Sequence, residues 1–126
     1  MHEVTLLRNA VQVALEEMRN AGANKVVSVQ LTLGAAGHLS EEIARQYFKI
    51  YAEGTPLQNA ALNLVWIPAT YQCFSCLRQF QEVAQTEEVI CPVCGGLALE
   101  IAHSHECYVS SLEVLIEDFT LVLDAS

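Results

Sequence analysis

Basic residues are scarce in this chain: six Lys and Arg stand against 15 Asp and Glu in 126 residues, for a formal charge of -9 and a pI near 4.7. Such a chain repels a phosphate backbone or an anionic leaflet, which disfavours nucleic-acid and membrane-surface binding. Long hydrophobic runs are missing as well. The longest uncharged, apolar-leaning stretch, Leu57 to Tyr71, is interrupted by Gln58, Asn59, Asn63 and Pro68, so it falls short of the roughly 18 residues of a spanning helix. The start, Met1-His2-Glu3, has no basic segment leading into an apolar one; no secretory leader is expected, and a reducing, cytoplasmic setting is. The six glycines form no G-x-G-x-x-G, and Gly34-Ala-Ala-Gly37 lacks the lysine and hydroxyl of a P-loop, so nucleotide handling falls to a partner. Nor is there a nucleophile beside a base. The adjacent carboxylates Glu41-Glu42 and Glu87-Glu88 point to different sides of a helix or strand and read as solvated charge. The expected protein is not an enzyme.

What is present describes a globular chain. Apolar residues make up 52% and charged residues 17%, enough for a core, and the length fits one compact unit with a small insert. Val4, Leu7, Val11, Ala14, Leu15 and Met18 recur at helical spacing, which predicts a helix over about 4–21 with Thr5 as N-cap and Gly22 as its stop. Over Lys25–Gly34, Val27, Val29, Leu31 and Leu33 alternate with Ser28, Gln30 and Thr32, which predicts a strand with one wet face. Ser40 followed by Glu41 and Glu42 opens a second helix to about residue 53, with Ile43, Tyr47, Ile50 and Tyr51 as its buried stripe. Residues 61–67 read as a strand, as does the alternating run from Tyr108 to Glu117. The fold class is therefore α+β: a small mixed sheet of about three strands with two helices, plus an inserted zinc-ribbon-like domain. The expected division is 1–69 with 106–126 as one α/β domain and 70–105 as the insert.

The insert carries two C-x2-C pairs, Cys73-Phe-Ser-Cys76 and Cys91-Pro-Val-Cys94, fourteen residues apart. Each pair presents two thiolates to one ion at about 2.3 Å, and two pairs close a tetrahedron, the chemistry of structural zinc. Disulfides, a redox C-x2-C and a four-thiolate iron site are the other readings. Disulfides suit a secreted chain, a redox motif needs a single reactive pair at a helix start, and iron fits the same spacing. A module of roughly 35 residues rarely folds on its own core, whereas structural zinc supplies about 10 to 16 kcal/mol in small peptides. Four protein ligands leave no open position for Lewis-acid work. A nucleic-acid-binding ribbon finds no support: the only cation between residues 70 and 105 is Arg78, set against Glu82, Glu87, Glu88 and Glu100. The H-x-E element of a zinc deaminase is absent.

The histidines are less specific. His2, the terminal amine and the adjacent amides can together chelate a metal that takes planar nitrogen ligands, Ni(II) or Cu(II); a solvated side chain at a terminus is the plainer reading. His103-Ser-His105-Glu106-Cys107 is a dense cluster where the insert rejoins the sheet. It reads as a polar hinge, with a transient metal site or a pH-sensitive replacement for a thiolate as alternatives, and Cys107 as a buried small hydrophobe.

Taken together, Met1-His2-Glu3, the amphipathic helix, the strand ending in Gly34, the helix holding Tyr47 and Tyr51 followed by Gly54-Thr55, both C-x2-C pairs, and Ser111-Leu-Glu-Val114 closely resemble the HypA/HybF hydrogenase nickel-incorporation proteins. The resemblance covers nearly the whole chain. It implies a nickel metallochaperone that binds Ni(II) as cargo through the terminal amine of Met1, the His2 side chain and the backbone at His2 and Glu3, and holds structural Zn(II) at Cys73, Cys76, Cys91 and Cys94. It also implies passage of nickel, with an accessory GTPase of the HypB type, to a [NiFe]-hydrogenase large-subunit precursor, and for some members to urease. Some members place an acidic ligand near position 40, where this chain has Ser40 flanked by His38, Glu41 and Glu42. The competing class is a zinc-ribbon adaptor that binds protein or nucleic acid and ignores nickel. The oligomeric state stays open between monomer and homodimer, with domain exchange around Gly34–His38 a further option.

Overall fold

The computed structural model describes residues 2–34, 40–83, 88–104 and 106–125, with the side chains of residues 2–4 outside the description. In order the elements are α1 (His2–Asn20), β1 (Lys25–Gly34), α2 (Glu41–Ala52), β2 (Ala61–Ile67), β3 (Ala69–Cys73), β4 (Gln79–Glu82), β5 (Val89–Ile90), β6 (Leu97–Ala102), β7 (Cys107–Ile116) and β8 (Phe119–Asp124). The chain divides into two compact units: Met1–Thr32, Leu39–Val65 and Cys107–Ser126 form one, Leu33–His38 and Trp66–Glu106 the other. The class is α+β, but each sheet has four strands, ordered β2-β1-β7-β8 and β4-β3-β6-β5.

In the first unit, α1 lays Leu7, Ala10, Val11, Ala14, Leu15 and Met18 into the core and packs on α2 and β7. It begins at His2, so Thr5 is a helical residue and not the expected N-cap. Its far end is a Schellman stop: Ala23 N–H donates to Met18 O at 3.1 Å and Gly22 N–H to Arg19 O at 3.0 Å, with Gly22 at φ 75. In α2, Ser40 Oγ caps by accepting from Ile43 N–H at 3.2 Å. The buried stripe, however, is Ala44, Phe48 and Ala52, while Ile43 and Ile50 are exposed and Tyr47 and Tyr51 half-buried. The helix is turned by one residue from the expected face, because small alanines let Phe48 reach the core where larger side chains would hold the helix off.

Strand β1 shows a similar slip. Val26 is buried and Val27 exposed; the inward set resumes at Val29, Leu31 and Leu33. Periodicity cannot choose between two neighbouring valines, so only packing places them. The face expected to be wet is not: Ser28 is buried, and Gln30 and Thr32 are half-buried and bonded, with Gln30 Nε2 and Thr32 Oγ1 donating to Ser110 Oγ of β7 at 3.2 and 2.9 Å and Ser110 Oγ donating to Gln30 O at 3.1 Å.

The unexpected strand is β8, an antiparallel partner of β7 from Ser111↔Asp124 to Ile116↔Phe119. Its turn is Glu117-Asp118, with Glu117 at φ 56. Asn-Gly or Asp-Gly would announce such a two-residue turn; Glu-Asp does not.

The second unit has little core. Ala69, Tyr71 and Val89 are buried, with Phe80 and Ala98 packed against them, and the Tyr71 and Phe80 rings stack at 5.8 Å. Burial, then the Glu100 and Glu82 carboxylates on the same face, push the Tyr71 hydroxyl pKa up. Gly34 is needed for close approach, since a Cβ there would run into the Ser104 carbonyl, and its N–H donates to Glu106 O at 2.8 Å.

Candidate metal centre

Two knuckles of one design build the centre. The first follows β3: Leu77 N–H donates to Cys73 O at 3.1 Å and Cys73 N–H to Arg78 O at 2.9 Å. The second follows β5: Gly95 N–H donates to Cys91 O at 3.0 Å and Cys91 N–H to Gly96 O at 2.8 Å. Each chain reversal needs a left-handed residue after its second cysteine, Leu77 at φ 63 and Gly95 at φ 78. Backbone amides also aim at sulfur: Ser75 N and Cys76 N at Cys73 Sγ (3.3 and 3.5 Å), Val93 N at Cys91 Sγ (3.5 Å) and Gly96 N at Cys94 Sγ (3.4 Å).

The four sulfurs lie within 4.8 Å of one another. Cys73 and Cys94 are 3.4 Å apart and Cys76 and Cys91 3.8 Å, against about 3.8 Å for the edge of a tetrahedron with metal–sulfur bonds of about 2.3 Å. All five cysteines are free of disulfides. The donor set therefore fits one tetrahedral, thiophilic ion, with the closed coordination of structural zinc.

Electrostatics prepare thiolates unevenly. The Cys76 amide, ahead of the other sulfur contacts, holds the Cys73 thiol down to about 6 despite burial. The Cys94 and Val93 amides lower Cys91 in the same way. The Gly96 amide favours the Cys94 thiolate too, but the Cys73, Cys76 and Cys91 sulfurs and burial outweigh it and push Cys94 up to about 11. A cation among the sulfurs takes the place of that shared proton and favours all four thiolates, which is why such a site closes around a metal.

A sequence-family model described as hydrogenase/urease nickel incorporation, metallochaperone, hypA, matches residues 1–114. The chain belongs to this family. Hydrogenase maturation factor HypA 1 of Bradyrhizobium diazoefficiens is 32% identical over 114 residues, spanning 90% of this chain and 99% of that protein. Hydrogenase maturation factor HybF of Escherichia coli strain K12 is likewise 32% identical over the same shares. In fold, the solution structure of the Ni metallochaperone HypA from Helicobacter pylori aligns with a TM-score of 0.58 at 21% identity, covering 93% of this chain and all of that one. As a member of the family the chain is a nickel metallochaperone of hydrogenase maturation, and its four-cysteine cluster is suited to structural zinc.

The other sequence candidates part company with the cluster. Met1, His38 and His105 lie outside the described residues, as do the side chains of His2 and Glu3; the His2 and Glu3 backbones form the first turn of α1. Glu41 pairs with Arg45 at 3.1 Å, and Glu42 is exposed beside it in the first turn of α2. His103 Nδ1 meets Glu100 Oε2 at 2.8 Å, and Ser104 Oγ accepts from Glu106 N–H at 3.1 Å. Cys107 is half-buried, and burial pushes its thiol up to about 11, as suits a small hydrophobe. Among the described residues, the four cysteines are the only group of three or more His, Cys, Asp or Glu side chains with metal-site spacing. Leu77 was not legible as a site residue; aligning the two knuckles residue for residue, so that it falls opposite Gly95, is the signal that finds it.

Proposed function

We propose that this chain takes up Ni(II) at its amino end, through the terminal amine of Met1, the His2 imidazole and the backbone nitrogens at His2 and Glu3, and passes it to a [NiFe]-hydrogenase large-subunit precursor with a HypB-type GTPase. Cys73, Cys76, Cys91 and Cys94 hold the structural zinc, within a zinc domain at 70–105 inserted into a nickel domain formed by 1–69 and 106–126. The observation that carries the nickel assignment is the start of α1 at His2. The first four N–H groups of a helix have no acceptor within it, so two of them can be given up to a planar metal without breaking a helix hydrogen bond. The charge left on a deprotonated amide also faces the positive end of the helix dipole. Cargo at a terminus with few side-chain ligands exchanges readily, as delivery requires.

Membership of the family favours this reading over the nickel-free adaptor. The chain works as a carrier and not as an enzyme, since four thiolates fill the zinc sphere. No helix among the described residues is long and apolar enough to cross a membrane, and we place the protein in the cytoplasm. Calorimetric Ni(II) titration of zinc-loaded protein with its native Met1 terminus tests the assignment. One nickel should bind, and His2→Ala should lose it with zinc content unchanged; equal binding by both proteins would move the site elsewhere, to His103 or His105.

A further inference from the structure

An edge strand presents a row of unpaired N–H and C=O groups, and natural sheets guard such edges with Lys, Pro, bulges or very short strands. In the first unit's sheet the edges are β2, followed by Pro68, and β8, whose sequence Phe-Thr-Leu-Val-Leu-Asp holds no Lys, Pro or Gly. Apolar exposure on β8 climbs toward the hairpin turn: Leu123 is half-buried, Leu121 45% exposed and Phe119 75%, while Val122 on the opposite face is 64% exposed. The family match ends at residue 114, before β8 begins.

The register shows which backbone groups face outward. Ala125 N–H donates to Ser110 O at 3.1 Å, and bonded and non-bonded pairs alternate along an antiparallel ladder. The pairs Leu112↔Leu123, Val114↔Leu121 and Ile116↔Phe119 then share the bonding phase of Ser110 and Ala125. Thr120 and Val122 lie in the other phase and turn their N–H and C=O groups to the edge that no described strand pairs with.

Charge narrows what can sit there. The hairpin carries Glu113, Glu117, Asp118 and Asp124, and no Lys or Arg follows Arg78 in the chain. A second copy would set these acids against themselves, at -9 per chain, whereas a basic segment would complement them. We propose that β8 is a docking edge for an extended segment of a partner protein in which apolar residues alternate with Lys or Arg, added to the sheet as a further strand.

The proposal is independent of the nickel assignment and is tested on the zinc-loaded chain by amide exchange and NMR titration. The probe is a capped peptide of about seven residues alternating Val and Lys, with a Val–Glu peptide of equal length as control. The Val–Lys peptide should slow exchange at Thr120 and Val122 by about tenfold or more and leave α1 unperturbed. Val122→Pro removes one outward N–H while sparing the ladder to β7 and should weaken binding by about tenfold or more, a loss of about 1.4 kcal/mol. Val122→Lys, which keeps the backbone intact and adds a like charge, should weaken it as well. No protection at millimolar peptide, equal binding of the Val–Glu peptide, or protection of the same amides by self-association alone would each overturn the proposal.

Discussion

The knuckles at Cys73–Arg78 and Cys91–Gly96 make matching backbone hydrogen bonds from different residues. The second supplies glycine where the chain must enter the left-handed region, at Gly95, and where another group comes close, at Gly96; the first puts Leu77 and Arg78 at those places. A left-handed L-residue costs about 1 to 2 kcal/mol. The first knuckle carries that strain because the metal and the β3 ladder fix the chain on either side of it, and the second is nearly free of it. The metal ties together one relaxed loop and one loop held under constraint.

Removing a ligand breaks the comparison outright. Cys76→Ala and Cys94→Ala should each strip zinc and unfold the module, because a core of Ala69, Tyr71 and Val89 cannot replace a metal term of about 10 to 16 kcal/mol. Zinc assay with tryptophan-independent circular dichroism checks this, and α1 should keep its helicity. Acid is the next lever. The Cys73 thiol, held at about 6 in the folded chain by the Cys76 amide, lies below an unfolded value of about 8.5. The thiolate's contribution is therefore present above the unfolded value and lost as pH falls through about 6. That value belongs to the metal-free chain, whose binding of Zn(II) added at fixed concentration should weaken as pH falls through about 6, read by competition with a chromophoric chelator.

Smaller changes sharpen the contrast between the knuckles. A Cβ at Gly96 would stand 2.8 Å from Ser75 Oγ and 3.2 Å from Cys73 Sγ, so Gly96→Val should cost about 1 to 3 kcal/mol by thermal unfolding of the zinc form. The space around Gly95 is open and its φ is 78, so Gly95→Ala should cost only the backbone term, about 1 kcal/mol or slightly more. The reverse change, Leu77→Gly, should leave stability unchanged or raise it by up to about 1 kcal/mol, since relief of the left-handed strain is partly offset by added freedom in the unfolded chain. A clear loss at Leu77→Gly would mean that the exposed Leu77 side chain, not its backbone, matters.

Much of the centre was readable in the amino-acid order, because C-x2-C spacing is a local constraint: three peptide units of backbone decide whether two thiolates can share an ion. The capping role of Ser40 and the stop at Gly22 were legible for the same reason, each resting on groups a few residues apart. The rotation of α2 onto Ala44, Phe48 and Ala52 was not, since Ile43, Tyr47 and Ile50 form an equally good apolar stripe and only the space against α1 decides between them. The hairpin strand β8 escaped because a Glu-Asp turn carries no signal of its own, and the strand exists through its pairing with β7.

Sequence alone thus determined the class of the fold, the tetrad and, through its resemblance, the nickel family, all carried by short-range spacing or by whole-chain pattern. Tertiary structure alone decided which of two apolar faces is inside and that residues after 116 form a strand at a sheet edge beside β7. Those outcomes depend on what stands opposite a residue in space, and burial energy is settled there, not along the chain.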